Sequence, residues 1–168
     1  MATITFKGNP VHTVGNLPSI GSKLPNFTLI DTSLKEVKNT DFEGKYLVLN
    51  IFPSVDTGVC AASVRQFNER AASRDNVRVI CISKDLPFAH KRFCGSEGIE
   101  NVVSASDFRS PEFGTNYGVT MVDGPLAGLL SRAVIVADPS GTVIYTEQVP
   151  EIAQEPNYEA ALAAIPAQ

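Results

Sequence analysis

The reactive potential of this chain is concentrated around one cysteine. Residues Asn50-Ile51-Phe52-Pro53-Ser54-Val55-Asp56-Thr57-Gly58-Val59-Cys60 read as the end of an apolar strand, a polar loop and the start of a helix. Asp56 or Thr57 can cap that helix, a side-chain oxygen accepting from an unpaired backbone N–H. Cys60 then falls in or near the first turn. There the free N–H groups and the helix dipole favour an anion, so the thiol should ionise more easily to the nucleophilic thiolate. A competing reading uses the same residues. Cys60, Val64, Phe67 and Ala71 stand at i, i+4, i+7 and i+11, one apolar stripe on which a cysteine is simply a small core side chain. The strand–loop–helix position favours chemistry, because sites in α/β sheets gather at the C-terminal ends of strands.

Two further cysteines and two histidines complete the reactive inventory. Cys94 follows Cys60 by 34 residues, just before Gly95 in a segment, Pro87 to Gly95, with helical spacing. Read alone it is an ordinary helix cysteine. Cys81 lies within Val77-Arg78-Val79-Ile80-Cys81-Ile82-Ser83, and its apolar neighbours predict a buried, inert thiol. His12 lies near the N-terminus. His90 and Cys94 form an i, i+4 pair that could chelate, but no Cys-x-x-Cys or second histidine pair completes a tetrahedral set. No metal is therefore expected, and His90 is read as solvated.

These residues need elements to position them. Thr3 to Lys7, a turn at Gly8-Asn9-Pro10, and Val11 to Val14 predict an N-terminal hairpin within residues 1–15. Phe27 to Ile30 is a short strand. Tyr46 to Phe52 is almost unbroken in its apolarity, as in a strand covered on both faces, and Pro53 ends it. Helical spacing runs from about Thr57 to about Ser73. Val77 to Ser83 is a second buried strand, and Val102-Val103 a short third one. Leu129 to Val136 and Thr142 to Gln148 form a hairpin about the turn residues Asp138-Pro139-Ser140-Gly141. Pro156 to Ile165 closes the chain as an Ala-rich helix with Pro156 in its first turn. This order predicts one α/β domain over 1–168, a central mixed sheet flanked by helices.

Composition narrows the function. The chain has 168 residues, 14 Lys+Arg and 18 Asp+Glu, a net charge of −4. The cations are scattered, so no basic face for nucleic acid is expected. No apolar run approaches the roughly 20 residues of a membrane span, nor is an export signal expected at the N-terminus. Three cysteines are too few for a secreted disulfide scaffold, which points to the cytoplasm.

Pro53-x-x-x-Thr57-x-x-Cys60 resembles the reactive-cysteine motif of the peroxiredoxins, cysteine peroxidases on a thioredoxin-like fold. The stretch Asn50 to Ser63 is similar to their thiol peroxidase subfamily. So are Cys81-Ile82-Ser83-x-Asp85-Leu86-Pro87-Phe88-Ala89, Arg92-Phe93-Cys94-Gly95, Asp123-Gly124-Pro125-Leu126, Arg132 and the N-terminal hairpin. The resemblance implies that Cys60 attacks a hydroperoxide and becomes a sulfenic acid, and that Cys94 resolves it to a Cys60–Cys94 disulfide. Thr57 would hold thiolate and peroxide in line, Pro53 would shield the sulfur, and Arg132, otherwise a solvated arginine, would stabilise the developing charge. Thioredoxin would be the reductant and the protein a homodimer; no cofactor is implied, since sulfur carries the electrons. A disulfide needs Cα atoms within roughly 7 Å, so one or both helices would have to fray to close it. Two alternatives stand beside this reading: a Cys–His hydrolase pairing Cys60 with His90 or His12, and a non-enzymatic thiol redox switch on a thioredoxin-like fold.

Overall fold

The computed structural model describes residues 1–71 and 74–166. Its centre is a seven-stranded mixed sheet. The strands are β3 (Thr28–Asp31), β4 (Glu36–Lys38), β5 (Tyr46–Ile51), β6 (Val77–Ser83), β7 (Val103–Ser106), β8 (Ala133–Ala137) and β9 (Val143–Gln148), and they lie in the order β4-β3-β7-β6-β5-β8-β9. β5, β6 and β7 run parallel, while β8 lies antiparallel beside β5. The helices are α1 (Gly58–Ala71), α2 (Pro87–Glu97), α3 (Glu112–Asn116) and α4 (Tyr158–Ala163).

The unbroken apolarity of the central strands follows from burial on both faces. On one face Val48, Val79, Cys81, Val134 and Val136 meet Val64 and Phe67 of α1, Phe93 of α2 and Leu162 of α4. On the other, Leu47, Leu49, Ile51, Ile80, Ile82 and Ile135 meet Leu29, Phe113 and Tyr117. The predicted stripe of α1 is real: Cys60, Val64, Phe67 and Ala71 are all buried. Burying side chains such as Val64 and Phe67 contributes about 1.5–3 kcal/mol each, which pins α1 across β6 and fixes where its first turn stands.

The N-terminal hairpin pairs β1 (Thr3–Phe6) with β2 (Asn9–His12). Its turn is Lys7-Gly8, with φ of 51° and 83°, not the expected Gly8-Asn9-Pro10. Positive φ at both loop residues matches the right-handed twist of the strands, and Pro10 sits in an edge strand where its missing N–H is harmless. Ile4 and Val11 form a small core with Met121 and Ile152.

Several boundaries differ from expectation. The strand predicted from Leu129 begins only at Ala133, because Leu129 and Leu130 pair instead with Met121 and Thr120. Pro156 lies outside α4, which Asn157 caps by accepting from the Ala160 N–H at 3.0 Å. α1 is described as far as Ala71; the expected end at Ser73 lies outside the described residues. β4 and α3 were not anticipated.

Candidate active site

β5 delivers the site. Pro53 cannot donate to a ladder, so pairing stops there and the chain leaves the sheet. Phe52 and Pro53 are buried, while Asp56 and Thr57 are exposed. The loop is ordered by Ser54: its carbonyl accepts from the Thr57 N–H at 3.2 Å and from the Thr57 hydroxyl at 3.0 Å, and its Oγ accepts from the Asp56 N–H at 3.1 Å. The expected side-chain cap is not made. Among the described residues neither Asp56 nor Thr57 accepts from the first turn of α1; Asp56 instead pairs with Arg92 at 2.9 Å on the surface.

Cys60 is the third residue of α1 and fully buried. Arg132, itself only 2 % exposed, donates from Nη2 to Cys60 Sγ at 3.2 Å. The arginine stands immediately before β8. Its Nε donates to the Ile152 carbonyl at 2.8 Å, and its own carbonyl accepts from Val149 N and Gln148 Nε2, both at 3.0 Å. Among the described residues its Nη1 has no partner and no carboxylate pairs with it. A buried guanidinium without a carboxylate is costly unless another anion faces it. The Cys60 sulfur is the group that Nη2 faces. Arg132 is therefore not the solvated arginine that its sequence position alone suggested.

Behind Cys60 lies a polar network absent from the sequence reading. The Ser63 hydroxyl donates to the Cys60 carbonyl at 2.7 Å and accepts from Asn50 Nδ2 at 3.1 Å. Asn50 Nδ2 also reaches Cys81 Sγ at 3.6 Å. Cys81 is fully buried in β6, and burial pushes its thiol up to about 12 against the opposing Asn50 bond. It is a neutral core thiol, as expected.

Cys94 is half-buried in the last turn of α2, which continues past Gly95 to Glu97. Its Sγ lies 3.3 Å from Ser104 Oγ, on β7, and it packs against the same apolar cluster that buries Cys60. All three thiols are free. The fold thus brings Cys60 and Arg132 together, buries Pro53 just past the end of β5, puts Thr57 at the loop's exposed edge, and sets Cys94 on the neighbouring helix.

The histidines are not where the alternatives need them. His90 is 1 % exposed rather than solvated: its Nε2 lies 3.1 Å from Ser83 Oγ and its ring meets Phe52 edge-on. It falls on the buried face of α2 with Pro87 and Phe93. His12 Nδ1 pairs with Asp123 at 2.6 Å in the hairpin. Neither ring is hydrogen-bonded to Cys60, so the Cys–His hydrolase lacks its base. Among the described residues no cluster of His, Cys, Asp and Glu is arranged to hold a metal ion.

A mixed sheet of this topology, with a buried thiol at the head of the helix after a central strand and a guanidinium on the sulfur, defines a cysteine redox enzyme of thioredoxin-like build. The comparisons agree. The Redoxin family model matches residues 19–162. The thiol peroxidase of Mycobacterium tuberculosis is 61% identical, over 98% of this chain and 99% of that protein. The thiol peroxidase of Corynebacterium glutamicum is 58% identical over the same shares. Among solved structures, a peroxiredoxin-like protein from Aquifex aeolicus superposes with a TM-score of 0.92 at 40% identity, covering 97% of this chain and 95% of that one. The chain belongs to the Redoxin family and, within it, to the thiol peroxidases.

Proposed function

We propose that this thiol peroxidase reduces hydrogen peroxide and alkyl hydroperoxides through Cys60, as a two-cysteine enzyme resolved by Cys94. The observation that carries the reading is the buried Arg132–Cys60 contact at 3.2 Å, with Nη1 of the same guanidinium unpaired among the described residues. The Cys60 thiolate attacks the outer oxygen of ROOH. A sulfur–oxygen bond forms, the O–O bond breaks, and the alkoxide takes a proton to leave as ROH; sulfur is oxidised to the sulfenic acid. Arg132 is complementary to the anion before the step and, through Nη1, to the charge that develops on the departing oxygen. Pro53 closes the sulfur off from bulk water. Thr57 donates to Ser54 at rest; to align thiolate and peroxide its hydroxyl must turn from that carbonyl.

The Cys94 sulfur then attacks the sulfenic acid, forming the disulfide and releasing water. A dithiol protein, thioredoxin, returns both thiols by exchange. One feature of α2 favours its opening: it starts at Pro87 after Leu86, which supplies no side-chain cap. The same reading makes the protein a homodimer of the cytoplasm working in antioxidant defence, where a reducing thiol pool supplies the electrons. No helix among the described residues is long and apolar enough to cross a membrane.

Intact mass after one equivalent of hydrogen peroxide tests the assignment. Wild type and Cys81→Ser should lose about 2 Da as a disulfide forms, whereas Cys94→Ser should gain about 16 Da as a lasting sulfenic acid. Cys60→Ser should not react. Peroxide turnover by Cys60→Ser, or a disulfide in Cys94→Ser, would overturn it.

A further inference from the structure

We propose that Asp85 is a positioning residue for the Cys60 reaction, its carboxylate clasping the loop that carries Thr57 and leads into α1; this rests on Cys60 being the peroxide-reducing thiol. Asp85 lies between β6 and α2, thus on the segment that leads to Cys94. Its Oδ1 accepts from Ser54 Oγ at 2.8 Å, and its Oδ2 from the Val55 N–H at 2.9 Å and from Ser83 Oγ. Ser54 is the residue that holds both the N–H and the hydroxyl of Thr57. The placement of Thr57 is therefore transmitted from the Asp85 carboxylate through one side chain. Among the described residues no Lys or Arg pairs with Asp85, so the clasp is built from neutral donors alone.

The clasp is braced from behind. Ser83 Oγ gives its one proton to Asp85 and accepts from the Asp85 N–H at 3.1 Å. Its remaining lone pair faces His90 Nε2 at 3.1 Å, so proton inventory assigns the Nε2–H tautomer to His90. Nδ1 is then a bare acceptor, and it has no partner among the described residues. Carboxylate, hydroxyl and imidazole here run Asp–Ser–His with serine in the middle. The imidazole donates to the serine and cannot take its proton, so the trio is a scaffold and not a hydrolytic triad. His90 in turn abuts Phe52, next to Pro53. A second link between the same segments, Arg92–Asp56, is exposed by 64% and 66% and contributes little.

Single-turnover oxidation by hydrogen peroxide, quenched by alkylation and read by intact mass, tests this in Asp85→Ala and Asp85→Asn, with folding checked by circular dichroism. Asn keeps the clasp: its Oδ1 accepts from Val55 and Ser83, and its amide donates to Ser54 Oγ, which can accept. Asp85→Ala should slow Cys60 oxidation roughly tenfold or more, the order expected when reacting groups are displaced by a fraction of an ångström to 1 Å. Reduction of the preformed disulfide by dithiothreitol should be unchanged, and Asp85→Asn should return the oxidation rate to within about threefold of wild type. Arg92→Ala should stay within about twofold. A folded Asp85→Ala that oxidises at the wild-type rate overturns the proposal. So does an Asp85→Asn as slow as the alanine variant, or an Arg92→Ala equally slow. Where Asp85→Ala does not fold, Ser54→Ala decides, with a loss of about threefold or more expected and a wild-type rate overturning. Cys60→Ser, run alongside, separates the two readings: peroxide consumption by that variant would sink the Cys60 assignment, whatever Asp85 does.

Discussion

Arg132 carries five N–H donors, and the protein satisfies them unevenly. Nε is tied to the Ile152 carbonyl, Nη2 reaches the Cys60 sulfur, and Nη1 has no partner among the described residues. A planar fork can hold sulfur and a peroxide oxygen at once; an ammonium on a flexible stem cannot. Arg132→Lys should therefore slow Cys60 oxidation by roughly 10²-fold, as when a donor is removed from a charge-stabilising site. Stopped-flow or quenched oxidation at fixed peroxide measures it, and a wild-type rate would reduce Arg132 to a core residue. Cys60 was legible in the sequence from its strand–loop–helix setting, whereas Arg132 was not. It stands far along the chain, ahead of an apolar run, and only the topology that lays β8 beside β5 brings it to the sulfur. Only the family resemblance singled it out. Asn50, Ser63 and Asp85 carry no pattern of their own; each is one polar side chain whose partner lies on another element.

At the scale of elements, the longest apolar runs are legible at full length, the short strands at Phe27–Ile30 and Val102-Val103 overlap β3 and β7, and the shortest elements leave no signal. β6 was predicted over its whole length, Val77–Ser83, because burial on both faces makes such a run unmistakable. β4 is three residues with a single buried side chain, Val37, and α3 is five residues, less than two turns; neither is long enough to show a period. A lone imidazole beside Lys91-Arg92 reads as solvated, although Pro87, His90 and Phe93 mark one buried face at spacing three. The same helix ends on Gly98, whose N–H bonds to the Cys94 carbonyl. A Cβ at Gly98 would meet no neighbouring atom, so substitution there strains the backbone alone. Gly98→Ala should cost about 1 kcal/mol by the left-handed penalty and loosen the last turn of α2. If fraying of that turn limits disulfide closure, Gly98→Ala should leave Cys60 oxidation unchanged and speed closure up to about fivefold, the Boltzmann factor of that energy. Slower closure would show that the intact turn, not its opening, presents Cys94.

For the molecule as a whole, His90 links the site's scaffold to acid stability. Burial pushes its imidazole below the usual value of 6.5, and the nearby Asp85 carboxylate pulls the other way without winning. The native ring is therefore neutral where an unfolded chain would already be protonated. With the folded value depressed, the unfolded state binds more protons as pH falls, so stability is complete above about 6.5 and is lost progressively below it. The limiting slope for one such group is about 1.4 kcal/mol per pH unit. Other groups titrate lower. Hydrogen bonds from His12 hold Asp123 below the usual carboxylate range, bonds from Ser140 do so for Asp138, and backbone N–H groups of Ala153 and Gly8 for Glu151. Those contributions persist until pH falls below about 4. Burial raises Asp107 and so works in the opposite sense just above its ordinary value, which makes the wild-type curve a composite. Comparison with His90→Gln isolates the imidazole, because a glutamine amide can still donate to Ser83 yet does not titrate. Urea unfolding at pH 7.5, 6.5, 5.5 and 5.0 should show wild type losing stability faster than His90→Gln below about 6.5, with parallel curves above. Parallel curves across the whole range would mean that His90 is protonated in the folded protein as readily as in the unfolded chain. The Nε2–H tautomer and the neutral brace behind Asp85 would then both have to be abandoned.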